Sequence, residues 1–130
     1  MRELIERYVR ELVKIPSTSN TETEKSCADY IAEELAKQPY FKEYPEQTGK
    51  YLLPEDSFGR SVPWGLVKGR NGSRKTIILT GHYDVVDTEE YGNERALAYD
   101  VEKWEDLVKS GNALPGMPEE VLGIFTSSLT

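Results

Sequence analysis

The stretch TIILTGHYDVV, residues 76 to 86, decides the predicted fold. It opens with four apolar or β-branched residues, a run that is typical of a buried strand. His82, the only histidine in the chain, and Asp84 follow at the end of that run. We therefore predict a core strand from Lys75 to Leu79 with a polar pair at its carboxyl end.

A hairpin is predicted immediately before this strand. Val62 to Lys68 has the composition of a strand, and Pro63 is tolerable near its start or on a sheet edge. Gly69 to Arg74 is rich in turn residues and would connect it to the core strand. Further upstream, residues 38 to 61 alternate aromatic residues with prolines and a glycine. This pattern indicates a short strand and a long loop packed on the core.

Amphipathic helices are predicted on both sides of these strands. Residues 2 to 15 place apolar side chains three and four positions apart, and Pro16 ends the pattern. Thr21 and Glu24 have the spacing of a capping box at the start of a second helix. Tyr99 to Ser110 forms a third amphipathic pattern. Helices and strands in this order predict an α/β layered fold.

Length, charge and cysteine content narrow the functional class. The chain has 130 residues, enough for one domain, and its net charge of −7 argues against nucleic acid or an anionic membrane as partner. It has no apolar run near the roughly 20 residues that span a bilayer. One cysteine allows no internal disulfide, so we expect a cytoplasmic protein. Cys27 lies on the apolar stripe of the second helix, which predicts a small core residue.

His82 and Asp84 would lie on the same face of a strand, because alternate residues point the same way. A metal-binding histidine usually donates its second ring N–H to a carboxylate, which orients the ring. Open α/β sheets also bind ligands at the carboxyl ends of their strands. Two alternatives stay open. The histidine could be a hydrogen-bonded structural residue, or the pair could act in acid–base catalysis, although Thr80 and Ser73 lack the context of a nucleophile.

The whole string closely resembles the first metal-ligand motif of the dinuclear zinc exopeptidases of the M-twenty family. That family includes acetylornithine deacetylase, succinyl-diaminopimelate desuccinylase, aminoacylase and glutamate carboxypeptidase. Within it, the chain most resembles the arginine-utilisation branch, the RocB-like proteins. The resemblance spans roughly residues 4 to 110 and is carried by Leu12 to Ser17, Ala32 to Leu35, Trp64 to Gly69 and Thr76 to Asp87.

The resemblance implies a fold, a cofactor and two site residues. The fold would be the N-terminal part of a three-layer catalytic domain, with helices packed on a mixed sheet. His82 would bind one of two zinc ions, and Asp84 would be the catalytic-site carboxylate that holds its imidazole. The complete enzyme would cleave an amide bond in a small peptide or N-acyl amino acid, in arginine catabolism.

Other parts of the family's site have no counterpart that we can identify. Asp100 lacks the Gly-x-x-Asp-x-Lys setting of the bridging aspartate. Glu119-Glu120 is too close to His82 for the glutamate pair and follows a proline, where acidic residues favour a helix start. Glu33-Glu34 and Glu89-Glu90 are expected to be solvated. A second metal-binding histidine is excluded, because His82 is the only one.

We therefore expect residues 1 to 130 to be the N-terminal portion of a truncated metallohydrolase domain that is inactive alone. Truncation predicts an exposed apolar face and self-association through it. The alternative is a non-catalytic α/β interaction module that retains the fold without the metal site.

Overall fold

The computed structural model describes residues 1–72 and 74–110. They form a mixed α/β structure that divides into two compact units. The helical unit comprises residues 1–14 and, within the described residues, 88–110. The sheet unit comprises residues 15–87. The predicted loop and helix start at Pro115 to Thr130 lie outside the described residues, and the prediction of a single domain stays a prediction.

The helical unit contains two of the predicted helices. Helix α1 spans Arg2–Val13 and ends shortly before Pro16, as its periodicity predicts. A run of 3-10 turns at Glu89–Tyr99, kinked at Gly92, was not foreseen. The third predicted helix is present, and it begins two residues after its predicted start. The sheet unit holds three further helical segments and two strands. In chain order, these are helix α2 at Glu24–Ala36, helix α3 at Pro39–Glu43, a 3-10 turn at Pro45–Gln47, strand β1 at Thr48–Leu52 and strand β2 at Ser61–Gly65. Helix α4 at Val101–Lys109 belongs to the helical unit.

Opposite charges link the two helices of the helical unit. Arg10 pairs with Glu105, and Lys14 lies 3.2 Å from Glu102. An apolar cavity of about 470 Å³ lies beside these pairs and includes Val13 and Trp104 in its wall. No helix in residues 1–72 and 74–110 has the length and apolar character needed to span a membrane.

The core of the sheet unit forms where α2 and α3 cover the two strands. Cys27 and Ala28 are buried on α2, as predicted for Cys27, and burial raises the pKa of the Cys27 thiol. Phe41 of α3 is the third buried apolar residue, and the ring of Tyr40 meets it edge-on at 5.3 Å between centroids. The aromatic residues after position 38 thus include packing residues, as their composition suggests.

The predicted hairpin is wrong, because the strand that begins near Val62 pairs with an upstream strand and not with Lys75 to Leu79. Strand β2 pairs antiparallel with β1, from Thr48 opposite Gly65 to Leu52 opposite Ser61. The segment Lys75–Leu79 is in no strand. The predicted core strand is also not buried, because Ile77, Ile78 and Leu79 are 86%, 82% and 92% exposed.

The β1–β2 hairpin is closed by side chains in its loop. The Asp56 carboxylate accepts hydrogen bonds from Arg60, at 2.7 Å from its backbone N–H and at 2.6 and 2.8 Å from its guanidinium. These bonds close the loop between Leu52 and Ser61. The hydrophobic pattern does not show that Asp56 and Arg60 bond each other, so it predicted the turn at Gly69 to Arg74 instead.

The predicted capping box is wrong as well. Helix α2 begins at Glu24, and its N-cap is Thr23 without a side-chain cap. The Thr21 hydroxyl instead donates to the carbonyl of Thr18 at 2.6 Å. The Glu24 carboxylate accepts from the backbone N–H of Asn20 at 2.5 Å and lies 3.6 Å from Arg60. Glu24 is therefore used to hold the preceding turn rather than to cap with Thr21.

Gly65 should not tolerate a side chain. A Cβ at this position would lie 2.7 Å from Cζ of the buried Phe41 ring. We expect Gly65→Ala to lower the free energy of unfolding by about 1–3 kcal/mol, as overpacking does. Gly49 is the matched control in the paired strand, because its Cβ would meet Trp64 at ordinary contact distances of 3.5 Å and above. Urea unfolding of both variants provides the measurement, and equal effects of the two would contradict the packing described.

Asp56 should contribute to stability in a pH-dependent way. Hydrogen bonds from Arg60 hold the pKa of Asp56 below its ordinary value. A lowered folded-state pKa adds stability above the ordinary pKa of about 3.9, and this is lost as pH falls through the folded value. We expect Asp56→Asn to destabilise the chain at pH 6 and to differ less from wild type at pH 2.5. Arg60→Ala should remove most of the same pH dependence. A difference between Asp56→Asn and wild type that stays constant over this range in urea unfolding would show that Asp56 does not act through its charge.

Candidate functional site

The segment that carries His82 and Asp84 is attached to the turn that follows α1. The backbone N–H of Val85 donates to the carbonyl of Ser17, and the N–H of Ser19 donates to the carbonyl of Val85, both at 2.9 Å. Thr18 and Val85 thus form an isolated parallel bridge. The sequence predicts a polar turn at Ser17 to Asn20, but it does not show what that turn holds.

His82 and Asp84 come together as the two-residue spacing predicts. The ring atom Nδ1 of His82 lies 3.2 Å from Oδ1 of Asp84 and 3.0 Å from the carbonyl oxygen of Asp84. Both of these oxygens are acceptors, so the arrangement favours the neutral tautomer that carries its proton on Nδ1. The His82 side chain is 86% exposed, and Nε2 is left as the ring nitrogen with a free lone pair.

The second carboxylate oxygen of Asp84 is bound by Ser19. The Ser19 hydroxyl donates to Oδ2 of Asp84 at 2.7 Å. This bond is the main reason that the pKa of Asp84 lies below its ordinary value, and the Asp84 backbone N–H and His82 lower it further. Asp84 is therefore a carboxylate at neutral pH, held between a hydroxyl and an imidazole.

Tyr83 points away from this pair and anchors the segment in the sheet unit. Its hydroxyl donates to the carbonyl of Ser61 at 2.7 Å, and its own carbonyl accepts from the Ser17 hydroxyl at 2.6 Å. Burial is the first cause of the raised pKa of Tyr83. Ser17 and Ser61 are both buried. Because side chains alternate along the segment, Tyr83 attaches it to the sheet unit, whereas His82 and Asp84 on either side of it form the candidate pair.

Ser17, Ser19 and Tyr83 are the site residues that sequence reasoning missed. The spacing Ser-x-Ser matches that of His-x-Asp, and both could have been recognised as extended segments with polar groups on one face. Nothing local shows that the two segments meet, because they are 65 residues apart.

The other acidic candidates do not join the pair. Asp100 accepts from the backbone N–H of Lys103 at 3.0 Å and lies 2.9 Å from its ammonium group, which makes it a helix-start residue of α4. Glu33 of α2 is exposed, as expected, but the Glu34 side chain is only 17% exposed and pairs with Lys37 at the end of the helix. Glu119-Glu120 lies outside the described residues.

In the described part of the chain, His82 with Asp84 is the one candidate for a metal ligand. Residues 1–72 and 74–110 contain no group of three or more His, Cys, Asp or Glu side chains that could hold a metal ion. His82 fits a zinc ligand, since Nε2 is accessible and a carboxylate holds the other nitrogen. A complete zinc site needs three or four protein ligands, which this part of the chain does not bring together.

The pair is also not arranged as a nucleophile with its base. In a nucleophilic site the hydroxyl bonds the imidazole. Here the Ser19 hydroxyl bonds the carboxylate, on the side away from the ring. Ser19 therefore acts on Asp84.

Two curated proteins of Bacillus subtilis (strain 168) are similar to this chain. Protein RocB is 34% identical over 101 residues, which are 78% of this chain and 18% of RocB. The uncharacterized protein YqjN is 38% identical over 87 residues, which are 67% of this chain and 15% of YqjN. The predicted resemblance to RocB-like proteins is thereby confirmed as a similarity to RocB.

The similarity covers a small part of each relative. The chain spans less than a fifth of the length of the curated relatives it matches. No family model matches the chain, and no solved structure matches it. Membership of the M-twenty family therefore stays a prediction, and the chain is established as similar to one segment of RocB and of YqjN.

Proposed function

We propose that this chain carries the first metal-ligand segment of a zinc-dependent peptidase or amidohydrolase. The parent enzyme cleaves an amide bond in a small peptide or N-acyl amino acid, in arginine degradation in the cytoplasm. The observation that carries the proposal is that the two ring nitrogens of His82 have different surroundings: Nδ1 faces the Asp84 carboxylate, and Nε2 is free. Similarity to RocB supports the arginine-related branch.

Each residue has a defined task in this proposal. His82 donates the Nε2 lone pair to one zinc ion. Asp84 holds the imidazole in the tautomer that leaves this lone pair available. The remaining ligands and the general base are supplied from outside the described residues, so the chain is inactive alone.

The architecture that we propose for the parent is a three-layer catalytic domain of which this chain is the N-terminal portion. The apolar segment Ile77-Ile78-Leu79 supports this, because a stretch of that composition is normally covered. In the absence of its cover, we expect this segment to mediate self-association. An acidic chain of net charge −7 is unsuited to nucleic acid or anionic membranes, so neither is a proposed partner.

Zinc binding at His82 can be observed directly, because a single histidine gives a single set of imidazole resonances. We expect Zn²⁺ added to the ¹⁵N-labelled chain at neutral pH to shift the Nε2 resonance and to leave Nδ1 protonated. Binding should be weak, since one side chain provides the described ligand. Asp84→Asn should weaken the effect.

Three outcomes would contradict this proposal. The first is zinc binding through Nδ1. The second is a His82 ring that does not respond to zinc at any concentration the chain tolerates, which would favour the non-catalytic interaction module. The third is hydrolysis of N-acyl amino acids by the 130 residues, abolished by His82→Ala, which would show that the chain is active alone.

Self-association should depend on the exposed apolar segment. We expect sedimentation velocity to show concentration-dependent association of the wild-type chain, and Ile78→Lys to shift it toward monomer because a charge opposes apolar contact. Val67→Lys is the matched control, since Val67 is an exposed apolar residue of the sheet unit outside that segment. A wild-type chain that stays monomeric at high concentration would refute this part of the proposal.

A further inference from the structure

We propose that Ser19 is a positioning residue that sets the tautomer of His82 by orienting the Asp84 carboxylate. This inference deepens the proposed function and rests on it for the purpose of the tautomer, although the tautomer itself can be measured without metal. It joins a hydroxyl, a carboxylate and an imidazole that are brought together from two distant parts of the sequence.

The two oxygens of Asp84 have different partners. Oδ2 accepts from the Ser19 hydroxyl at 2.7 Å, and Oδ1 faces Nδ1 of His82 at 3.2 Å. A carboxylate bound at one oxygen only is free to rotate about the bond to its Cβ. With Ser19 holding Oδ2, the plane of the group is fixed, and Oδ1 stays directed at the ring.

The proton of the Ser19 hydroxyl is committed to Asp84. The other acceptor within reach is the Val85 carbonyl, at 3.0 Å. That carbonyl already accepts the backbone N–H of Ser19 at 2.9 Å. The carboxylate is closer and charged, and hydrogen bonds to ionised acceptors are about twice as strong as neutral ones.

The backbone keeps Ser19 in place independently of its side chain. The Ser19 N–H bonds Val85, and the Val85 N–H bonds Ser17, so removal of the hydroxyl leaves the bridge intact. The hydroxyl is therefore free to serve the carboxylate, and its loss should affect the His82–Asp84 geometry more than the fold.

His82 has two acceptors for its Nδ1–H, and one of them depends on Ser19. The Asp84 carbonyl lies 3.0 Å away whatever the carboxylate does, whereas Oδ1 is directed at the ring by Ser19. The His82 side chain is 86% exposed, and its ring contacts are to the carboxylate and carbonyl of Asp84. When the carboxylate turns away, water competes for Nδ1–H, and the Nε2–H tautomer gains population. That tautomer has no lone pair on the exposed nitrogen.

The test is the tautomer ratio of the single imidazole, measured by long-range ¹H–¹⁵N correlation at pH 8. We expect the wild-type ring to be mainly Nδ1–H. In Ser19→Ala we expect the ratio of Nδ1–H to Nε2–H to fall about three- to tenfold, part of what loss of a charge-assisted hydrogen bond would give.

Two matched comparisons separate positioning from a structural role. Ser19→Thr keeps the hydroxyl and should keep the wild-type ratio, whereas Ser19→Val, which is isosteric with the Thr variant, should lower it as Ser19→Ala does. Thr21→Val removes a nearby hydroxyl that bonds the Thr18 carbonyl rather than the carboxylate, so it should leave the ratio unchanged. If Ser19→Ala does not fold, the Thr and Val pair decides.

An unchanged ratio in Ser19→Ala or Ser19→Val would overturn the inference, and so would an equal fall in the Thr and Val variants. The outcome is separable from that of the proposed function. A ratio that depends on Ser19 in a chain whose ring ignores zinc would support the positioning role and refute the metal-ligand role. Zinc binding at Nε2 that is indifferent to Ser19 would do the opposite.

Discussion

Two backbone hydrogen bonds between Ser17, Ser19 and Val85 hold the functional segment in place, and the rest of the site depends on them. They join chain segments that are more than 60 residues apart, each at 2.9 Å. Once Val85 is fixed, alternation along the extended chain settles the neighbours. Tyr83 turns inward to bond Ser61, and Asp84 turns toward Ser19 and His82. Two backbone hydrogen bonds between distant parts of the chain thus organise the side chains of the candidate site.

Local features could be predicted from the sequence because their physical causes are local. The apolar spacing of α1 and the proline after it gave a helix within two residues of its observed end. The stripe through Cys27 gave α2 and a buried thiol. The approach of His82 to Asp84 follows from residue spacing alone, and it occurs although the segment lies in no named strand.

Long-range pairing could not be predicted in the same way. Val62 to Lys68 had two possible partners, one on each side, and composition favoured the more apolar one downstream. The observed choice depends on Asp56 and Arg60, whose bonds close the upstream loop, and on Leu66, whose N–H bonds the carbonyl of Gln47 at 2.7 Å. Hydrophobic periodicity does not show a pair of charged residues, such as Asp56 and Arg60, that closes a loop. The turn at residues 17 to 20 was predicted, but its contact with Val85 was not, because that contact is made by backbone atoms.

The His82 ring can be exposed and still be oriented, because Nε2 faces solvent whereas Nδ1 faces Asp84. In the described part of the chain, no buried side-chain nitrogen or oxygen lacks a hydrogen-bond partner, so the polar attachment through Ser17 and Ser61 carries no large desolvation penalty. His82 can then stay open to solvent while Asp84 restricts its ring. A ligand atom must be accessible, but its orientation need not be left to the incoming ion. Rigidity that originates in the backbone bridge and passes through Ser19 and Asp84 to the ring would organise the first ligand before any metal or other part of a larger protein arrives.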